Sequence, residues 1–109
     1  MSRLTTDFWV GAYRMRLEAL GIPAMVVRKG DATAGAVLIK LNTLDGNAVL
    51  YHRSFDLMTG ERVWDVLVRG AEAEVDGSCA KQCSFDPDVW VIEVEDRAGR
   101  HLLDDPSLA

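Results

Sequence analysis

The chain begins with a segment whose apolar residues recur at helical spacing, which predicts an α-helix over residues 6–20. Thr6 or Asp7 supplies an N-cap, and Gly21 followed by Pro23 ends the helix. Viewed down the helix axis, the apolar residues form two stripes about 90° apart. One stripe consists of Phe8, Ala12, Met15 and Ala19, and the other of Trp9, Tyr13, Leu17 and Leu20. Because a sheet covers only one stripe, we expect this helix to be buried on two sides.

Four segments of alternating or β-branched apolar residues follow, and each predicts a β-strand. Asp45-Gly46 is a strong hairpin signal, and Thr59-Gly60 marks another turn. The predicted strands cover residues 24–29, 35–43, 47–55 and 61–69. Because short loops connect them, we expect these strands to pair in sequence order as an antiparallel meander.

The remaining sequence predicts a second helix, a final strand and a polar tail. Ala71, Val75 and Cys79 repeat at four-residue spacing, and Asp86-Pro87 ends that helix. The helix covers residues 71–84, the strand 89–95 and the tail 97–109. The order α-β-β-β-β-α-β predicts a single α+β domain over residues 1–109, with a mostly antiparallel sheet and the N-terminal helix packed on one face. A right-handed crossover through the second helix would place the last strand parallel to the fourth.

Composition and charge narrow the class of protein. The chain has 109 residues, of which 49% are hydrophobic and 27% charged, as in a soluble domain with one core. Residues 1–40 carry six basic and three acidic side chains, whereas residues 41–109 carry six and fourteen. The acidic second half argues against nucleic-acid binding, and the uneven charge is a hint of self-association. Without a signal peptide or a membrane-spanning run, we expect a cytoplasmic protein that does not bind membranes.

Candidate chemistry is sparse. Five polar residues of the predicted strands could share one charged sheet face: Lys40, His52, Asp65, Glu93 and Glu95. Glu93 and Glu95 alternate along one strand, so their carboxylates lie roughly 7 Å apart. Cys79 and Cys83 lie one helical turn apart and would supply half of a zinc site, but no second cysteine pair is present. We therefore expect no metal, no cofactor and no catalytic constellation.

Three segments resemble a known family in their order and spacing. They are Gly21-Ile22-Pro23-Ala24, Gly30-Asp31 with Ala34-Gly35-Ala36-Val37, and Phe85-Asp86-Pro87-Asp88 with Trp90-Val91-Ile92-Glu93-Val94-Glu95-Asp96. The chain is similar over nearly its whole length to small alphaproteobacterial proteins known as domain of unknown function 1491. The resemblance implies a bacterial cytosolic protein with no assigned activity and no known cofactor.

Two functional hypotheses follow. The first is a small interaction or assembly module without catalytic activity. The second is a small-ligand-binding protein or a minor enzyme, which requires the five charged-face residues to converge in one pocket. We also predict a homodimer, because the stripe Trp9, Tyr13, Leu17 and Leu20 would otherwise leave a large apolar patch in water. The tail, which contains Asp104-Asp105 and Pro106, looks too polar to cover that stripe.

Overall fold

The computed structural model describes residues 4–108, and they form one five-stranded sheet with a helix on each face. The elements follow the predicted order. They are α1 Thr6–Ala19, β1 Ala24–Arg28, β2 Val37–Asn42, β3 Asn47–Phe55, β4 Arg62–Ala71, α2 Glu72–Phe85, β5 Trp90–Glu95 and a closing 3-10 turn, Pro106–Leu108. The predicted α+β class is confirmed. No helix of residues 4–108 is both long enough and apolar enough to span a membrane.

The strand order is β1-β5-β2-β3-β4, so the last strand lies inside the sheet. β5 runs parallel to β2, with Ile92 opposite Ile39, and antiparallel to β1. Only β2, β3 and β4 form a meander, and the prediction that β1 joins it is wrong. β5 is a short, nearly continuous apolar run, which is typical of a strand covered on both faces. As predicted, β5 points in the same direction as β4, because both run parallel to β2.

One face of the sheet is covered by α1 together with the C-terminal segment. Tyr13 and Leu17 are completely buried there, in one core cluster with Ile39 and Ile92. The Tyr13 hydroxyl donates a hydrogen bond of 2.8 Å to the carbonyl of His101. Burial raises the pKa of the Tyr13 hydroxyl, so it stays a donor.

The C-terminal segment folds back over α1, contrary to the expectation that it is too polar to pack. Leu103 and Leu108 are buried in the same cluster as Trp9. The Trp9 indole donates a hydrogen bond of 2.8 Å from Nε1 to the carbonyl of Leu108. Arg16 pairs with Asp105 at 3.0 Å, so the acidic part of the tail meets a basic residue of α1.

The roles of the two α1 stripes are therefore the reverse of those assumed for a dimer. Trp9, Tyr13 and Leu17 are buried by their own chain and cannot anchor an interface in this fold. Leu20, at the C-terminal cap, is half exposed. The other stripe faces solvent, with Phe8 and Met15 more than half exposed. Self-association remains a prediction without its original anchors.

The other face of the sheet is only partly covered. Helix α2 packs against β3 and β4, and Val75 and Cys79 are its buried residues. They join a smaller core cluster that includes Leu38, Leu50 and Val91. A single 14-residue helix does not reach across five strands, and this leaves room above β1 and β5.

Replacing Tyr13 by Phe tests how firmly the C-terminal segment is held. We expect Tyr13→Phe to lower the free energy of unfolding by about 1–2 kcal/mol, because the carbonyl of His101 loses its donor. Urea denaturation followed by tryptophan fluorescence measures the change. Tyr51→Phe is the matched control, since the half-buried Tyr51 contacts the ring of His101 but has no hydroxyl hydrogen bond among the described residues. Equal losses in the two variants would contradict the assigned role.

Candidate functional site

The main cluster of charged side chains lies under α2 and is centred on Lys40. Lys40 lies in the middle of β2, and its side chain is 7% exposed. Its Nζ lies 2.7 Å from Glu72 Oε2, 2.7 Å from Asp76 Oδ1 and 3.4 Å from Glu93 Oε1. One ammonium therefore neutralises only one of three carboxylates, and the cluster is acidic.

Asn42 completes the cluster. Its Nδ2 donates hydrogen bonds to Glu72 Oε2 at 3.1 Å and to Glu93 Oε2 at 3.3 Å. Its Oδ1 accepts a hydrogen bond of 2.8 Å from the backbone N–H of Leu44. The amide thus links β5, α2 and the β2–β3 turn, and it orients the carboxylates that surround Lys40.

The local structure explains why these side chains meet. Lys40 and Asn42 are two residues apart on a strand, so they point to the same face. Glu93 lies directly opposite Lys40 on the neighbouring β5. Glu72 and Asp76 are one turn apart in the first part of α2, so both face the sheet.

The electrostatics of Lys40 favour its charged form. Burial disfavours the ammonium, but hydrogen bonds to Asp76 and Glu72 and the charge of Glu93 outweigh that cost. The pKa of Lys40 therefore lies above its ordinary value of 10.5. A lysine that acts as a base or forms a Schiff base needs a lowered pKa, so Lys40 is a counter-ion rather than a nucleophile.

A shallow groove runs beside this cluster, between α2 and β1. It has a volume of about 230 Å³, and Val91 and Glu93 of β5 form its floor. Met25 and Val27 of the flanking β1 are 46% and 61% exposed. Towards the start of α2 the groove is acidic. Towards the end of α2 it is lined by Ala80, Cys83 and Arg28, whose Nη2 donates a hydrogen bond of 3.0 Å to the carbonyl of Pro87. Its lining residues are Val27, Arg28, Lys40, Asp76, Cys79, Ala80, Cys83, Val91 and Glu93.

The two cysteines line this groove as free thiols. Burial and the adjacent Cys83 raise the pKa of the Cys79 thiol to about 11. Nucleophilic chemistry requires the thiolate, which the raised pKa makes scarce at neutral pH. Within residues 4–108, no three His, Cys, Asp or Glu side chains are arranged to hold a metal ion.

Residues 4–104 match the family described as "Protein of unknown function (DUF1491)". The chain belongs to this family. No curated protein matches the sequence.

Three solved structures share the DUF1491 fold. A crystal structure of a DUF1491 family protein from Caulobacter crescentus CB15 has 44% identity and a TM-score of 0.86, covering 95% of this chain and 98% of that one. An NMR structure of a family protein from the same organism has 44% identity and a TM-score of 0.82, covering 97% of each chain. Protein Atu0922 from A. tumefaciens has 28% identity and a TM-score of 0.73, covering 86% of each chain. Both organisms are alphaproteobacteria.

Two of the three segments that carry the family resemblance have a structural role in this DUF1491 protein. The backbone N–H of Asp31 donates to the carbonyl of Asp88 at 2.9 Å, and Trp90 Nε1 donates to the carbonyl of Asp31 at 2.8 Å. A side chain at Gly30 or Gly35 would collide with the carbonyl of Asp88. These contacts fasten the β1–β2 loop to the start of β5.

The five charged-face residues do not converge. Lys40 and Glu93 are in contact, but neither His52, Asp65 nor Glu95 lines the groove. His52 lies opposite Asp65 on the β3–β4 pair, where Ser54 donates a hydrogen bond to the Asp65 carboxylate. Glu95 lies opposite Asn42 on the β2–β5 pair, two residues beyond Glu93 along β5. The condition set for a catalytic pocket is therefore not met by these residues.

Sequence reasoning missed three members of the cluster, Asn42, Glu72 and Asp76. Their signal was present in the spacing. Asn42 shares the face of Lys40, and Glu72 and Asp76 lie on the side of α2 that carries the buried Val75 and Cys79. The spacing does not show which strands this side of α2 covers.

Removing the Lys40 ammonium tests the cluster. We expect Lys40→Met to lower the free energy of unfolding at neutral pH by about 2–3 kcal/mol, since it leaves Glu72, Asp76 and Glu93 without their counter-ion. Urea denaturation at pH 7 measures the loss.

Stability at alkaline pH provides a second test of Lys40, because the raised pKa fixes the direction of the expected change. Because the pKa of Lys40 is higher in the folded state, its contribution is complete below pH 10.5 and is lost as the pH rises through the folded value. The free energy of unfolding of Lys40→Met should not show this alkaline loss, because the variant has no ammonium at position 40. Lys81→Met, at an exposed position of α2, is the matched control and should change stability by less than about 0.5 kcal/mol. A similar loss in both variants would contradict the role of Lys40.

Proposed function

We propose that this protein is a non-catalytic protein-binding module whose groove between α2 and β1 accepts an amphipathic helix of a partner protein. The observation that carries the proposal is the uncovered part of the sheet. Helix α2 packs against β3 and β4, whereas Met25 and Val27 of β1 are exposed on the same face. Exposed apolar residues that adjoin a groove are typical of interaction sites.

The dimensions of the open area support a helical partner. Neighbouring strands are about 4.8 Å apart, so β1 and β5 together present a strip about 10 Å wide. That width matches the diameter of one α-helix. A helix lying beside α2 would cover the exposed Met25 and Val27 with its apolar face and complete the layer that α2 leaves unfinished.

The edge of β1 is poorly suited to pairing with another strand, which argues against an extended peptide as the partner. β1 has only five residues, and its register with β5 is irregular between Val26 and Arg28. Arg14 Nε donates a hydrogen bond of 3.0 Å to the carbonyl of Ala24. Short length, irregular register and an arginine on the edge all oppose strand addition.

Charge complementarity specifies the partner further. The carboxylates of Glu72 and Asp76 are 39% and 54% exposed, and with Glu93 they outnumber the ammonium of Lys40. A lysine or arginine next to the apolar face of the partner helix would meet this acidic end of the groove. The partner segment is therefore apolar and basic.

The protonation states of Lys40 and Cys79 support a binding role without catalysis. Lys40 is held in its protonated form, and the high pKa of Cys79 keeps its thiol protonated. Both cysteines are free, which is compatible with the reducing cytoplasm, where we propose that the protein acts.

Site-specific crosslinking tests the proposed function. We expect the photoreactive substitution Val27→p-benzoylphenylalanine, introduced into the full-length chain in an alphaproteobacterium, to crosslink to one partner protein on irradiation. Mass spectrometry should locate the crosslink in a segment with apolar residues at i, i+3 or i+4, and i+7, and with an adjacent lysine or arginine. The exposed Val27 tolerates the larger side chain because it lies on the surface.

The same substitution at Met58 is the control. Met58 is 93% exposed in the turn between β3 and β4, outside the groove. The proposal predicts that the Val27 crosslink is specific and is weakened by Asp76→Asn. It is overturned if Met58 gives the same crosslinks, if the partner segment is not helical in pattern, or if the only product joins two copies of this chain.

A further inference from the structure

A second cleft lies on the opposite face of the sheet, between the C-terminal segment and the β3–β4 hairpin. Its volume is about 370 Å³, within the range of small-molecule sites. Aromatic and apolar side chains form much of its lining, and several hydrogen-bond donors are set among them. The lining residues are Tyr51, Arg53, Arg62, Val63, Trp64, His101, Leu103 and Asp104.

Arg53 brings a fixed positive charge to this cleft. Its guanidinium carbon lies 4.8 Å from the ring centre of Trp9 and 4.6 Å from that of Trp64. Arg53 Nη2 also donates a hydrogen bond of 3.1 Å to the carbonyl of Leu108. Two indole rings and one carbonyl thus hold the guanidinium in place, and its charge is already oriented before a ligand arrives.

Trp64 contributes a donor that lacks an acceptor. Its indole Nε1 is buried and has no hydrogen-bond partner among the described residues. A buried donor without a partner costs about 1–3 kcal/mol. The side chains of Trp9 and Trp90, by contrast, each donate to a backbone carbonyl at 2.8 Å.

The imidazole of His101 supplies a further hydrogen-bond donor, and the tautomer of its ring is defined by a backbone contact. Its Nδ1 accepts a hydrogen bond of 2.9 Å from the backbone N–H of Leu103, so the proton of the neutral ring is on Nε2. Burial lowers the pKa of His101, which keeps the ring neutral at pH 7. The ring lies 4.9 Å from that of Tyr51, so these two rings together form an aromatic wall.

We propose that this cleft binds a small carboxylate with a flat apolar body. Arg53 brings a fixed positive charge to the cleft, in a protein whose net charge is −5. The indole N–H of Trp64 and the imidazole N–H of His101 are donors that suit carboxylate oxygens. The rings of Tyr51, Trp64 and His101 suit a planar body, whereas a phosphate ion would leave those apolar walls uncovered.

Titration with benzoate, followed by two-dimensional ¹H–¹⁵N NMR of the indole N–H groups, tests the inference. We expect benzoate to shift the Trp64 Nε1–H resonance saturably at millimolar concentrations or below and to leave that of Trp90 in place. Benzamide has the same ring but no charge, and it should bind about tenfold more weakly. Inorganic phosphate should not produce the Trp64 shift.

Two variants separate recognition from a general loss of structure. Asp104→Asn removes an exposed carboxylate at the cleft and should tighten benzoate binding about twofold at low salt. Trp64→Phe keeps an aromatic ring but removes the donor, and it should weaken benzoate binding about tenfold. Retained Trp9 and Trp90 resonances would show that this variant is folded.

A change in the α2–β1 groove serves as the matched control. Val27→Asp, on the other face of the sheet, should leave benzoate binding unchanged, so this inference and the proposed protein-binding role fail independently. The inference is overturned if benzoate and benzamide bind equally, if benzoate produces no Trp64 shift at millimolar concentrations, or if a folded Trp64→Phe variant binds benzoate as the natural chain does.

Discussion

The structure depends on one constraint, which is that β5 must be buried on both of its faces. Trp90, Ile92 and Val94 are buried on the α1 side of the sheet, and Val91 is buried on the α2 side. A strand of this composition is typical of a sheet interior, where strands pair with both of its edges and layers cover both of its faces. Its position between β1 and β2 follows, and so does the need for a covering layer on each side.

The two covering layers are unequal, and this inequality creates both candidate sites. On one side α1 has large aromatic residues, but it still requires Leu103 and Leu108 from the tail to close the core. The tail does not extend over the whole β3–β4 hairpin, and the cleft with Arg53 remains beside it. On the other side α2 buries only Val75 and Cys79, so the layer there is thin and the groove beside β1 stays open.

A large part of the fold is readable from local sequence pattern. Both helices, all five strands and the Asp45-Gly46 turn lie close to their predicted positions, because each depends on residues within one short segment. Strand order is not local. Nothing in the pattern of residues 24–29 shows that Val26 pairs with Ile92, more than sixty residues later, instead of with the next strand.

The candidate sites show the same division between local and non-local information. The spacing of Glu93 and Glu95 places these two on one sheet face, but the carboxylates that meet Lys40 include two from α2. For α1, sequence pattern identified two apolar stripes without indicating which one the chain covers. The C-terminal segment covers the stripe that contains Trp9. The carbonyl of Leu108, 99 residues away in the sequence, accepts a hydrogen bond from the Trp9 indole.

The basic first part of the sequence and the acidic second part form ion pairs with each other within the folded chain. Lys40 of the basic half meets Glu72, Asp76 and Glu93 of the acidic half, and Arg16 meets Asp105. The attraction that the sequence suggested between two copies thus acts inside one copy, at two points on opposite faces of the sheet. Each group of ion pairs joins an element early in the chain to one late in the chain. Each therefore stabilises a contact between distant parts of the sequence, in addition to the apolar packing. Because the acidic residues at α2 outnumber the ammonium they enclose, the same pairing that closes the fold also leaves negative charge at one end of the groove.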